Sequence, residues 1–199
     1  MNLVCLDLEG VLVPEIWINV ALETGIDELK LTTRDISDYD VLMRRRLEIL
    51  SKNDLKLPDI QTVIAGMNPL DEAASFLDTL RSRTQVILLS DTFTQFAKPL
   101  MEKLGYPTLF CNSLVVDPEG RITDYTLRQQ DGKRKAVEAM KSIGFRVIAA
   151  GDSYNDATML QAADAGIFFR APEKIKEEFP RFPCVETHAD LLGEIEKLI

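Results

Sequence analysis

Four short stretches of this 199-residue chain hold the side chains that could do chemistry. They are Asp7 and Glu9 in LDLEGV, Ser90 and Asp91 in LLLSDT, Lys133 in DGKRKAV, and Asp152, Asn155 and Asp156 in AAGDSYND. Taken singly, each has a plain structural role: loop acids, a turn or cap serine, a solvated helix face, a turn with Asn155 or Asp156 capping the next helix. Taken together they suggest more. Carboxylates gathered at one place repel one another unless a cation binds between them, and oxygen ligands without His or Cys beside them favour Mg²⁺. A hydroxyl at Ser90 and an ammonium at Lys133, with helix N-terminal amides, suit the oxygens of a phosphate.

Such a grouping needs elements that bring distant stretches to one edge. Apolar runs without alternation at residues 3–6, 86–89, 146–150 and 166–169 read as strands buried on both faces, each followed by a helix-like segment. That pattern predicts an α/β fold, a Rossmann-like parallel sheet with helices on both faces, in which ligands bind outside the carboxyl ends of the strands. Residues 14–69 are too long for one crossover and read as helices over 16–24, 39–51 and 57–65, with Pro58 and Pro69 near boundaries. We expect residues 1–13 and 70–199 to form the core and residues 14–69 a small helical cap inserted after the first strand. Asp117-Pro118-Glu119-Gly120 predicts a hairpin turn between residues 113–116 and 121–127 at the sheet edge. Residues 94–104 look helical but contain Pro99, so that helix should start near Lys98 or kink.

Composition narrows the partners. With 23 Lys+Arg against 32 Asp+Glu the chain is acidic, its densest basic run is Arg44-Arg45-Arg46, and neither nucleic acid nor membrane is expected as a partner. No apolar stretch approaches the roughly 20 residues that span a bilayer, and MNLVCLDLEG has acids where a signal peptide has bases, so a soluble cytoplasmic protein is expected. Three scattered cysteines, Cys5, Cys111 and Cys184, read as reduced core thiols. On a helical wheel Arg46, unlike Arg44 and Arg45, falls within the apolar face formed by Leu42, Met43, Leu47, Ile49 and Leu50. An arginine aimed into an apolar closing interface calls for an anion, unless its head snorkels out. His188 reads as a surface or cap residue, Trp17 as packing between cap and core, and residues 174–178 as a solvated helix face.

DLEGV, LLLSDT, a lysine and GDSYND, in this order and with a helical insertion after the first motif, resemble the haloacid dehalogenase superfamily of aspartate-nucleophile phosphotransferases. The resemblance spans nearly the whole chain and is strongest to the phosphoserine phosphatases, in particular the branch that also passes the phosphoryl group to homoserine. It implies Asp7 as nucleophile and Glu9 as general acid and base. Mg²⁺ would be held by Asp7, the Glu9 backbone carbonyl and Asp152, with Asp156 orienting through water. Ser90 and Lys133 would hold phosphate oxygens. Arg46 in RLEIL would grip the substrate carboxylate and Glu15 its ammonium, with Asp91 and Asn155 in the same polar pocket. Most members carry Asp where this chain has Glu9, a carboxyl set about 1.5 Å further out. A receiver-type signalling domain shares the phosphorylated Asp, Mg²⁺, hydroxyl and lysine but lacks the long insertion and GDSYND. Within enzymes the alternative is a phosphatase of this superfamily acting on another small metabolite phosphate.

Overall fold

Successive residues of a buried strand point to opposite faces of its sheet, and here both faces are apolar. In the computed structural model, which describes residues 1–33, 35–36 and 38–199, seven strands form one sheet. They are β1 (Asn2–Leu6), β2 (Gln85–Phe93), β3 (Leu109–Val116), β4 (Ile122–Thr126), β5 (Arg146–Gly151), β6 (Ala165–Phe169) and β7 (Cys184–Val185), in the order β4-β3-β2-β1-β5-β6-β7. All neighbours run parallel except the β3–β4 hairpin. The helices are α1 (Ile16–Thr24), α2 (Tyr39–Lys52), α3 (Leu57–Gly66), α4 (Ala73–Arg83), α5 (Thr94–Lys103), α6 (Gly132–Ser142), α7 (Ala157–Ala162), α8 (Glu173–Glu178) and α9 (His188–Glu196), with a 3₁₀ turn at Asp27–Lys30.

Val4, Leu6, Leu88, Ile148 and Ile167 enter one buried cluster, with side chains from α1, α3, α4, α5 and α9. Their strand neighbours Leu3, Cys5, Leu89, Val147 and Phe168 enter a second, closed by α6, α7 and α8. Helices therefore cover both faces, as a parallel sheet requires. The first cluster runs without a break from the sheet into the helices between β1 and β2, through Val20, Met43 and Ile60. Register then sets the site. Leu6 pairs with Leu88 on one side and Ala150 on the other, and the Asp7 amide donates to the Ala150 carbonyl at 2.9 Å. The ends of β1 and β5 and the Ser90 region of β2 thus share one edge.

The structure departs from the sequence reading at several elements. β2 continues through Ser90 to Phe93, with its pairing to β3 irregular between Leu89 and Phe93, so Ser90 lies within the strand. α5 begins at Thr94 and runs through Pro99. The carbonyl that Pro99 leaves without its helical donor, that of Gln95, accepts instead from Gln61 Nε2 of α3 at 2.8 Å. His188 is neither at the surface nor a cap. It is 2% exposed, its ring lies 5.2 Å from Phe76 and 4.7 Å from Phe169, and Nε2 donates to the Val11 carbonyl at 2.8 Å. The cap role falls to Thr187, which accepts from the Asp190 amide. A 3₁₀ turn (Tyr154–Asp156) precedes α7 and is closed by Ser153 and Asp156. In α8 the charged face surrounds one buried residue, Ile175, and of the three free cysteines Cys184 is only half-buried.

Candidate active site

Three carboxylates and one ammonium meet where β1 and β5 end. Asp7 follows β1 directly; its Oδ1 accepts from the Leu8 amide at 2.7 Å and its Oδ2 lies 2.8 Å from Lys133 Nζ. Lys133, on the first turn of α6, also reaches Asp156 Oδ1 at 2.7 Å and stands 3.7 Å from Asp91 Oδ2. Asp156 turns its other oxygen back to the Asp152 and Ser153 amides, at 2.9 and 3.1 Å, which shapes the loop carrying Asp152. Two glycines make room for these acids. A Cβ on Gly10 would stand 2.4 Å from the Asp152 carboxyl carbon, and one on Gly151 2.3 Å from that of Asp156.

Burial raises the Asp7 pKa well above the usual carboxylate range, Asp156 and Asp152 add to the rise, and Lys133 opposes it. Burial alone would lower the Lys133 pKa, but Asp156, Asp7 and Asp91 hold it well above its ordinary value. The lysine is therefore charged, one ammonium among three carboxyl groups. Asp7, Asp152 and Asp156 each offer an oxygen within 4.8 Å of the others, all three buried. A hard, all-oxygen set of this kind fits a divalent cation such as Mg²⁺.

The second half of the site is built by the helices between β1 and β2. Glu9, Glu15, Trp17, Arg46, Ser90 and Lys133 line one small cavity of about 70 Å³ together with Thr92 and Tyr39. Arg46 is buried as the helical wheel predicts: Nη2 donates to the Leu31 carbonyl at 2.9 Å, the guanidinium lies 4.6 Å from the Trp17 ring, and Nε has no partner among the described residues. Its head does not snorkel out. Burial pulls its pKa down to about 10 against the pull of Glu9, Tyr39 and Glu15. Glu15 occupies the cap position of α1 without making a side-chain cap bond, which leaves its carboxylate to the cavity. Glu9 is pushed up to about 7 by burial and by Glu15, while the Ile16 amide, Arg46 and Thr92 pull it down. Ser90 Oγ is buried and accepts from the Thr92 amide at 3.1 Å.

Asp91 and Asn155 touch at 3.4 Å and line both this cavity and a wider one of about 360 Å³, which Lys133 and Tyr154 also line. All ten residues singled out from the sequence thus fall into two adjoining groups at one sheet edge. Thr92, Tyr39 and Trp17 were missed as site residues. Thr92 had a signal, since residues two apart on a strand share a face and Ser90 was already chosen. Tyr39, whose hydroxyl donates to the Asp91 carbonyl at 3.0 Å, and Trp17 had none, because their neighbours are distant in the chain.

The family model of the haloacid dehalogenase-like hydrolases matches residues 1–164. A Pseudomonas aeruginosa protein described as phosphoserine phosphatase ThrH is 60% identical over 197 residues, covering 99% of this chain and 96% of that one. A phosphoserine phosphatase of Pseudomonas syringae pv. tomato is 57% identical over 99% of this chain and 83% of its own. A solved phospho-aspartyl intermediate analogue of phosphoserine phosphatase shares 26% identity, with a TM-score of 0.77 over 100% of this chain and 98% of that one. A substrate-bound phosphoserine phosphatase complex, at 24% identity and a TM-score of 0.76 over 100% and 98% of the two chains, shares the fold.

Proposed function

The chain belongs to the haloacid dehalogenase-like hydrolases, and on that premise we propose that it is a Mg²⁺-dependent phosphoserine phosphatase that also transfers the phosphoryl group to homoserine in the cytoplasm. The observation that carries this reading is the joining of two groups in one cavity. Asp7 and Lys133 suit a phosphate, and the opposed Arg46 and Glu15 suit a carboxylate and an ammonium. A zwitterionic phosphate monoester needs all of these, whereas a sugar phosphate has no use for the second pair. The names of the Pseudomonas relatives support the same substrate, and "ThrH" supports the homoserine branch. In this reading residues 14–69, which include positions 34 and 37 outside the described residues, act as the cap that closes over the amino acid.

Asp7, Asp152 and the Glu9 carbonyl would hold Mg²⁺, with Asp156 fixing the Asp152 loop; the ion, when bound, offsets the charge between the carboxylate nucleophile and the phosphate. The Leu8 amide and Lys133 fix the two oxygens of Asp7, which attacks phosphorus while the bond to the serine oxygen breaks. Glu9 gives its proton to the departing serine oxygen, and a carboxyl titrating near 7 is poised for that. Lys133, Ser90 and the amides near Gly10 hold the equatorial oxygens. In the second half Glu9 takes a proton from water or from the homoserine hydroxyl, that oxygen attacks phosphorus, and the bond to Asp7 breaks. A panel of phosphate esters assayed for phosphate release with Mg²⁺ and with EDTA, then with homoserine added, tests the proposal. Phosphoserine should lead the panel, EDTA should abolish turnover, and homoserine phosphate should form. Preference for a non-amino-acid ester would remove the substrate assignment, and metal-independent turnover would remove the mechanism.

A further inference from the structure

The Glu9 carboxylate is not left to find its own position. Ile16, the first residue of α1, donates its amide to Glu9 Oε2 at 2.9 Å. First-turn amides have no partner within their helix, and Glu15, at the cap position, supplies none. The chain between the two residues is folded so that they meet: Gly10 N bonds to Val13 O at 2.8 Å, and Leu12 N and Val13 N bond to Leu8 O at 2.8 and 3.0 Å. Thr92 of β2, 4% exposed, lines the same cavity as Glu9. An aspartate at position 9 would end about 1.5 Å short of this seat, so the amide at 2.9 Å would fall outside hydrogen-bond range.

The geometry points to Ile16, through its backbone amide, and Thr92 as the positioning residues of the Glu9 carboxylate, which clamp it between the inserted helix α1 and the core strand β2. The inference rests on the reading of Glu9 as the proton-transfer group. The extra methylene of the glutamate gains a function: it lets the side chain dock on the inserted segment, so the acid is in place only while α1 is seated.

Proline removes the amide with little disturbance of the backbone. The first helical position favours it, and Glu15, at φ −57° and ψ 118°, already has the extended conformation required before proline. Ile16→Ala loses the same buried side chain but keeps the amide, and is the reference. The readout is the ratio of kcat/KM for phosphoserine, whose alkoxide must be protonated, to that for p-nitrophenyl phosphate, whose leaving group departs as the anion. Ile16→Pro should lower this ratio about tenfold or more below Ile16→Ala, the usual loss of a hydrogen bond to a charged group. Thr92→Val should lower it and Thr92→Ser restore it; this pair decides the matter even if the proline variant fails to fold. A general loss of structure would depress both substrates and leave the ratio unmoved. Equal ratios for Ile16→Pro and Ile16→Ala, or for Thr92→Val and the parent, overturn the clamp. Glu9→Gln separates the two levels: a collapsed ratio there with no effect of the clamp variants rejects the clamp alone, and an unmoved ratio rejects the proton-transfer role of Glu9 as well.

Discussion

Replacing Gly10 by alanine does two separable things, and a second glycine supplies the control. Gly10 has φ +77°, a left-handed conformation that costs a residue with a Cβ about 1–2 kcal/mol. Gly25, which ends α1 at φ +70°, carries the same strain, but a Cβ there meets nothing within 4 Å. A Cβ on Gly10 stands 2.4 Å from Asp152 Cγ and Oδ2 and 2.8 Å from Oδ1. Ordinary carbon contacts begin near 3.4 Å, so the Asp152 carboxylate must retreat by about 1 Å. A misplacement of that size in a reacting constellation costs about 100-fold. Gly25→Ala should therefore lower the thermal midpoint by about 2–8 °C and leave kcat/KM for phosphoserine within about twofold. Gly10→Ala should show at least that thermal loss, a kcat/KM lower by about 100-fold, and a higher Mg²⁺ concentration for half-maximal activity. Thermal melts and kcat/KM across a Mg²⁺ titration, run on both variants, make the comparison. If the two behave alike in activity and in metal dependence, Gly10 serves the turn alone and the placement of Asp152 against it has no catalytic consequence.

Arg46→Ala should cost about 10-fold or more in kcat/KM for phosphoserine, and Arg46→Lys should not restore it, because an ammonium lacks the planar fork; a change within twofold for the alanine variant would sink the carboxylate assignment. Gln61→Ala strands the Gln95 carbonyl and should destabilise by about 1–2 kcal/mol, whereas in a Pro99→Ala background the restored amide serves that carbonyl and the loss shrinks; additive effects in a double-mutant cycle by chemical denaturation would refute the link. Burial and Glu15 raise Glu9 in the folded chain from 4.5 to about 7, so the native state holds its proton more tightly than the unfolded one and stability is lost as pH rises between those values. Glu9→Gln, which cannot ionise, should remove that loss: its thermal midpoint relative to the parent should rise from pH 5 to pH 8, and a constant difference would count against the raised value.

Much of this was legible along the chain because its signals are local. Strands buried on both faces must be apolar along their buried length, so residues 3–6 and 147–150 announced themselves, and the groups for chemistry follow such runs at Asp7 and Asp152. Arg46 stood out because a charge on an apolar helical face conflicts with its neighbours, and that conflict is visible within one helix. The misreadings share an opposite cause. Pro99 allowed a helix start near Lys98 because the donor that serves Gln95 comes from Gln61, more than thirty residues earlier. His188 looked like a surface residue because Phe76, Phe169 and the Val11 carbonyl, which bury it, are brought there only by folding.

The sequence by itself determined which chemical groups the protein owns and which strand ends and helix faces carry them, since apolar periodicity acts over a few residues. Tertiary structure alone decided how those groups are charged and held. Lys133 lies between Asp7 and Asp156, Asp152 rests on the bare Cα of Gly10, and Glu9 reaches the first amide of α1. Each depends on strand register and on a helix docking across the sheet edge. Electrostatics and hydrogen bonding act through space over a few ångströms, a distance the linear order of residues does not contain.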